Sequence, residues 1–489
     1  MLLHPYVLSY TPLEEPRAPD PTNNALVNWA LHPWLKLGVA ESTVLQPLKI
    51  PADYGCFLLQ HVNGTFYTFS GDRPVETRQG FPADLFRFRR RHILKVLRAA
   101  TNKSSALKHT DFEMAFCVAD CIVSQRAFSP HRQLGNVYPL VPDPVAAFTV
   151  TTCRDSMNIP FPIWEDDPRK TDRWDVWGEK IQSLMGNANA CLWQRRKDQA
   201  VFRGHQRSCT LYNTSYAGFG GPDMPHPRGL PFYVAHRSSS YKNISRCGRT
   251  ALMHHALNSP LKGRFNVALT SWLDRFKKLQ AKPTRLPMSD MESFKYIIYA
   301  EGHCHFANRL RQLLFMGTVI LKQEVDCDEH YAGLLRPFEH YIPVDYQFSN
   351  LTTALRWADD HPQMVKQIRK NMHAYAEKWL SPKAVLDYVI ELILAYSKLV
   401  LYDVKLRPGA LRVPPMAAYV GDVRGEGAPA KETSMKPRLV ESVGHGCPVG
   451  THRHPRMSAA TALQTLARRG SGALHALKSA LGVNSRASS

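Results

Sequence analysis

Between Lys295 and Val344, short β-branched runs alternate with polar turns. Tyr296 to Tyr299 form one run, Thr318 to Leu321 a second and Tyr341 to Val344 a third. A Glu301-Gly302 turn and a helix opening near Asn308-Arg309 separate the first two runs. Unbroken apolar runs of this length suit strands buried on both faces. Strand, glycine turn, helix and strand in that order predict a βαβ unit, whose ligands bind at the C-terminal strand ends. A helix N-terminus carrying an Arg and reached through a glycine turn suits the phosphates of a nucleotide.

The same patterning extends along the chain. LFRFRRRHILKVLRAA spaces Leu85, Phe88, Ile93, Val96 and Leu97 as a helix, and MAFCVAD reads as a buried strand running into Asp120. VAAFTVTTC at 145–153 is a further strand, and a helix is expected through Leu184 and Met185. QAVFRG opens a second unit, in which Gly, Pro, Ser, Tyr and Asn between about 208 and 245 read as an inserted loop. CGRTALMHHAL starts a helix at Arg249, Ser349 is placed to cap another, and Val365, Ile368, Met372, Tyr375 and Trp379 share one face of a third. The window 384–402 carries Asp387, Glu391 and Lys398, so it reads as a packed helix and not a membrane span. The expected organisation is a poorly defined segment at 1–50, α/β units at 51–195 and 196–380, a return helix at 381–402 and a disordered tail at 403–489.

Charge changes this picture at two places. The chain of 489 residues has a net charge of +21, and from Lys405 to Ser489 there are 13 Lys/Arg against 4 Asp/Glu. A second basic concentration, Arg87 to Lys103, falls on the LFRFRRRH helix. A solvated tail and one solvated helix face account for both; attraction to nucleic acid or an anionic polymer is the alternative. None of the ten cysteines forms CxxC, so no zinc ribbon or thioredoxin motif is present. Sequons stand at Asn63, Asn102, Asn213, Asn243 and Asn350. The chain does not open on a cationic region followed by an apolar run, so no signal peptide is expected in it.

Several residues suit group-transfer chemistry. A carboxylate at a strand end, such as Asp120, protrudes into a cleft as a general base or caps the next turn. Arg203 and Gly204 end the VFRG strand, where a Gly admits a phosphate to the backbone and a guanidinium grips it with two hydrogen bonds. Arg249 and Arg309, with Asn308 beside it, are further cations at helix starts; an ordinary surface ion pair is the competing account of each. Asp326-Cys327-Asp328 has the spacing of a manganese-holding motif but reads as a solvated acidic turn. His303-Cys304-His305 point in different directions and make a poor metal site.

DFEMAFCVAD at 111–120, VFRG at 201–204, and KYIIYAEG with HYIPV at 295–344 resemble, in order, the protein O-glucosyltransferase type of glycosyltransferase family 90. The likeness covers roughly 105–400. It implies two facing Rossmann-like domains (the GT-B arrangement) and inverting transfer of glucose or xylose from a UDP-sugar to a hydroxyl of a protein or glycan, without a metal. It places the base on Asp120 and the donor on Arg203, Gly204, Arg249, Gly302, Asn308 and Arg309, and it implies an endoplasmic reticulum or Golgi lumen. His205, Phe306 and Cys121 depart from the family pattern, which bears on the choice of donor and acceptor. The contrasting class is a non-catalytic protein of the same fold that binds an anionic polymer or nucleic acid.

Overall fold

The computed structural model describes residues 24–49, 55–69, 83–118, 123–124, 140–141, 145–153, 157–165, 173–205, 210–213, 234–237, 248–271, 285–302, 307–325, 327–345 and 347–414. All lie in the first of two compact units, Met1–Cys447; the second is Pro448–Ser489. No helix among them is long and apolar enough to cross a membrane.

The first sheet has six strands: β1 (Cys56–Val62), β2 (Thr65–Phe69), β3 (Phe112–Cys117), β6 (Ala147–Thr149), β8 (Ile159–Pro160) and β17 (Ala410–Arg412). Their order is β17-β2-β1-β3-β6-β8. Strands β17, β2, β1 and β3 run antiparallel in turn, and β3, β6 and β8 are parallel. This mixed sheet corrects the Rossmann-like expectation for the first unit. The cause is local: Asn63 and Gly64 take positive φ values of 50° and 72°, the geometry that Asn-Gly favours in a two-residue hairpin. That hairpin turns β1 straight back into β2. The expected single strand at 145–153 is broken by a bend at Val150. Its second half, β7 (Thr151–Cys153), leaves the sheet to pair with β15 (Cys327–Glu329) from the second half of the chain. The Asp326-Cys327-Asp328 segment therefore reaches into a strand, and Cys327 is disulfide-bonded.

The second sheet is parallel throughout. It contains β9 (Lys197–His205), β12 (Phe265–Ser271), β13 (Phe294–Tyr299), β14 (Val319–Gln323) and β16 (Ile342–Val344), in the order β12-β9-β13-β14-β16. The three apolar runs expected as strands are β13, β14 and β16. Their side chains divide between two cores, as a strand's alternation requires. Val201, Ile297, Tyr299 and Ile320 pack with α5 (Trp177–Ala190) and the end of α10 (Pro362–Leu380). Phe202, Tyr296, Ile298, Val319 and Leu321 pack with α6 (Gly248–Leu257) and α9 (Leu351–Asp360). Asn350, not Ser349, stands at the start of α9, because Asp345 takes the backbone N–H groups of Gln347, Ser349 and Asn350. Within the 208–245 insertion, β10 (Thr210–Asn213) and β11 (Val234–Arg237) form an antiparallel ribbon where loop alone was expected.

The first and last described segments both add to the first sheet's core. Asn24 caps α1 (Ala25–Leu31) by accepting from the Leu26 and Val27 N–H groups, and Leu26, Val27, Ala30 and Leu31 are buried. They meet Tyr388, Leu392 and Tyr396 of α11 (Pro382–Leu399), the expected return helix. Residues 24–49 thus carry defined helices where the sequence suggested none. Residues 403–414 are likewise no tail: β17 pairs with β2, and Arg407 bonds Glu113. The basic helix α3 (Ala83–Lys103) is not a solvated cationic face throughout, since Arg89 and His92 are buried.

Candidate functional site

The C-terminal ends of the parallel strands carry the expected cations. Along β9 the alternation sends Phe202 and Gly204 toward α6, and Val201 and Arg203 to the opposite side. Arg249, the second residue of α6, lies with its guanidinium 5.6 Å from the centre of the Phe202 ring. The Arg309 guanidinium lies 5.9 Å from the same ring. Two cations thus lie against one aromatic ring, whose quadrupole stabilises them. Each is also anchored to the end of β9. Arg249 donates from Nη1 to the His205 carbonyl at 2.7 Å, and Arg309 donates from Nη1 to the Arg203 carbonyl at 2.5 Å.

Gly204 is required by this arrangement. A Cβ there would stand 2.7 Å from the tip of the Phe202 ring and 3.1 Å from Arg249 Nη1. The glycine therefore serves the close approach of ring and guanidinium to the strand.

Arg203 makes a different contact from the one expected. Its guanidinium donates to the Asn266 carbonyl at 2.7 Å and to Asn266 Oδ1 at 2.7 Å, bracing β9 against β12. It contributes its carbonyl to the cation pair, while its side chain turns away. Burial lowers the pKa of both Arg203 and Arg309 from the ordinary guanidinium value, and both stay cationic. Among the described residues no carboxylate lies within ion-pair distance of Arg309. A desolvated guanidinium that meets a carbonyl and a ring but no carboxylate is a ready partner for an anion.

Gly302 and Asn308 lie on the connection between β13 and α8 (Leu310–Leu313). Gly302 is buried behind Glu301, whose N–H donates to Gln323 Oε1 at 2.7 Å. Asn308 is half-buried, one residue after Ala307, whose N–H donates to the Tyr299 hydroxyl at 2.9 Å. The helix is shorter than its apolar spacing suggested. It spans four residues and tightens into turns through Met316. So short a helix has little dipole to offer, and attraction for an anion rests on the Arg309 side chain. Asp120 lies outside the described residues. The strand before it, β3, is followed by Val118, whose carbonyl accepts from Arg89 Nη1 at 2.5 Å.

Arg89 belongs to a buried cluster that the sequence did not suggest. Its Nη2 lies 3.4 Å from Glu165, and it joins α3 to the first half's last described loop. Across from it, Arg311 lies 3.6 Å from Glu329 and 4.7 Å from the Trp164 ring centre. Tyr331 donates its hydroxyl to Glu329 at 2.7 Å. Burial raises the Glu329 pKa and drives those of His92 and His330 down to about 3. The signal available in the sequence was the RRRH run itself, which is indistinguishable from a solvated face until its partners are known. Strand alternation puts Phe202 on the same face of β9 as Gly204, which is the local signal for its part in the site.

The model of the family described as glycosyl transferase family 90 matches residues 242–469, which contain Arg249, Gly302, Asn308 and Arg309. Over that segment the chain is similar to glycosyltransferase family 90. Among the curated relatives, protein O-glucosyltransferase 2 of Danio rerio is 32% identical over 120 residues, 24% of each chain. Protein O-glucosyltransferase 3 of Rattus norvegicus is 29% identical over 125 residues, 26% of this chain and 24% of that one. Protein O-glucosyltransferase 1 of Homo sapiens is 23% identical over 292 residues, 57% of this chain and 64% of that one. The chain thus spans between about a quarter and under two thirds of the length of these relatives. A solved structure, that of Anabaena Alr3699/HepE in complex with UDP-glucose, overlaps 44% of this chain and 53% of its own at 11% identity and a TM-score of 0.25.

Proposed function

We propose that this chain is an inverting glycosyltransferase that moves glucose or xylose from a UDP-sugar to a hydroxyl of a protein or glycan. The observation that carries the reading is the pair of guanidiniums on Phe202 at the mouth of a parallel sheet, with no carboxylate within ion-pair distance of Arg309 among the described residues. Arg249 and Arg309 fall inside the family 90 match, and the named relatives are O-glucosyltransferases.

In this reading the two sheets form a GT-B arrangement, with the donor on the parallel one. The UDP diphosphate lies against Arg309 and Arg249, and Gly204 lets the Phe202 ring and Arg249 close on that strand end. Asp120 takes the proton from the acceptor hydroxyl as its oxygen attacks the anomeric carbon from the face opposite UDP. The C–O bond to the diphosphate breaks, and the two arginines stabilise the negative charge that leaves with it. Cations in this role make a divalent metal dispensable. The expected compartment is the endoplasmic reticulum or Golgi lumen.

Two measurements test it. UDP should raise the melting temperature of the wild type and not that of Arg309→Ala. Hydrolysis of UDP-glucose or UDP-xylose should be abolished in Asp120→Asn and insensitive to EDTA. UDP release by Asp120→Asn at the wild-type rate would remove the assigned base, and loss of activity in EDTA would remove the metal-free mechanism.

A further inference from the structure

We propose that Asn63 carries an N-linked oligosaccharide, that Asn102 carries a second, and that the sequon at Asn350 stays bare. The proposal is independent of the transferase reading. The fold treats the acceptor residues Asn63, Asn102 and Asn350 differently. Asn63 and Gly64 form the exposed tip of the β1–β2 hairpin. The turn is held through the backbone, since the Asn63 N–H donates to Asp111 Oδ1 at 2.9 Å. The Asn63 carboxamide has no partner among the described residues, so it points a reactive amide into solvent at a position the chain cannot retract. Asn102 is exposed in the last turn of α3, and its carboxamide likewise has no partner among the described residues.

Asn350 is built into the protein. Its Oδ1 accepts the Asp345 N–H at 2.9 Å, and its own N–H donates to Asp345 Oδ2 at 2.7 Å. Leu351 is buried, and the Thr352 hydroxyl is paired with Ser259 Oγ at 2.7 Å. A glycan would have to grow out of a half-buried loop whose carboxamide already closes a turn.

A second observation concerns the compartment. Cys56 is bonded to Cys117 across β1 and β3, Cys191 and Cys327 are also disulfide-bonded, and none is free among the described residues. Such bonding belongs to an oxidising lumen, where N-glycosylation occurs. Asn-Gly is also a favoured hairpin pair for its own sake, so the turn explains Asn63 and Gly64. It makes no demand for a hydroxyl at position 65, which the sequon needs. In the modification, the Asn63 amide nitrogen attacks the anomeric carbon of an oligosaccharide carried on a polyisoprenyl diphosphate. The N–C bond forms, the bond to the diphosphate breaks, the amide loses a proton, and the lipid diphosphate is released.

The test uses full-length protein from the cells that make it. Asn-linked glycans are released in heavy-oxygen water by a glycosidase that converts each bearing Asn to Asp, and the peptides are read by mass spectrometry. Heavy Asp is expected at positions 63 and 102, with unaltered Asn at 350. Unmodified peptide at Asn63 overturns the proposal, and labelling at Asn350 overturns its selectivity. Thr65→Val, which leaves the Asn-Gly turn intact, should lose one glycan's mass from the intact protein, whereas Thr65→Ser should keep it. A Thr65→Val protein that retains the full glycan mass also overturns the proposal.

Discussion

Arg407 grips Glu113 with two hydrogen bonds, Nε to Oε1 at 2.5 Å and Nη2 to Oε2 at 2.8 Å. Glu113 is fully buried in β3, and Tyr402 and Gln60 also donate to its carboxylate. The glutamate of the DFEMAFCVAD motif is therefore a structural anchor for the segment after α11. Asp111 in the same motif accepts from the Asn63 N–H and steadies the hairpin.

Removing one partner leaves a buried charge uncompensated, at a cost of about 3–5 kcal/mol. Arg407→Met is expected to lower the urea midpoint accordingly, and Glu113→Gln in the same chain should recover a large part of the loss. Truncation after residue 414 should be far milder than truncation after residue 402. Equal midpoints for the two truncations would show that the anchor contributes little.

Arg309 and Arg203 should separate cleanly. A hydrogen bond to a charged group contributes about 1.5–3 kcal/mol, so Arg309→Ala is expected to weaken UDP by roughly ten- to a hundredfold. Arg203→Ala removes the brace to Asn266 and should lower the melting temperature while leaving UDP affinity within a few-fold of wild type. Calorimetric titration of UDP into both variants measures the difference.

Gly204→Ala places a methyl group against the Phe202 ring and Arg249. Overpacking of this kind costs about 1–3 kcal/mol. The substitution should reduce stability and UDP affinity together, because ring and guanidinium move as a pair. A variant that loses neither would mean that the strand end yields without disturbing the cations.

Acid should unfold the protein early. His92 and His330 are held near a pKa of about 3 by burial, against an ordinary value of 6.5. Below the ordinary value the unfolded chain binds protons that the folded one refuses. Their contribution is thus fully present above about pH 6.5 and falls as pH drops toward 3. Each proton contributes a slope of about 1.4 kcal/mol per pH unit. Thermal melts from pH 7 to pH 4 should show this slope, and His330→Phe should flatten it.

The parallel sheet was legible because strands buried on both faces are written as unbroken apolar runs, as in Tyr296–Tyr299. Arg249 and Arg309 were legible as cations at helix starts. Their convergence on Phe202 was not, because an insertion of unrelated composition separates VFRG from Arg249. The direction of Arg203 depends on Asn266, a residue with no local signal. Arg407 looked like part of a basic tail because its partner lies 294 positions earlier. The Asn63-Gly64 pair does carry a hairpin signal in the sequence, and the antiparallel half of the first sheet follows from it. Asp120, which the family pattern marks as the base, lies outside the described residues.

The position of β17 beside β2 also orders events during synthesis. The edge of the first sheet is supplied by residues 410–412, so a ribosome must complete the entire parallel half before the earlier layer can close. Until then Glu113 waits without its arginine. A nascent chain halted between the two halves would hold an unfinished sheet, and the later half stands in sequence as an insertion before the earlier one's last strand.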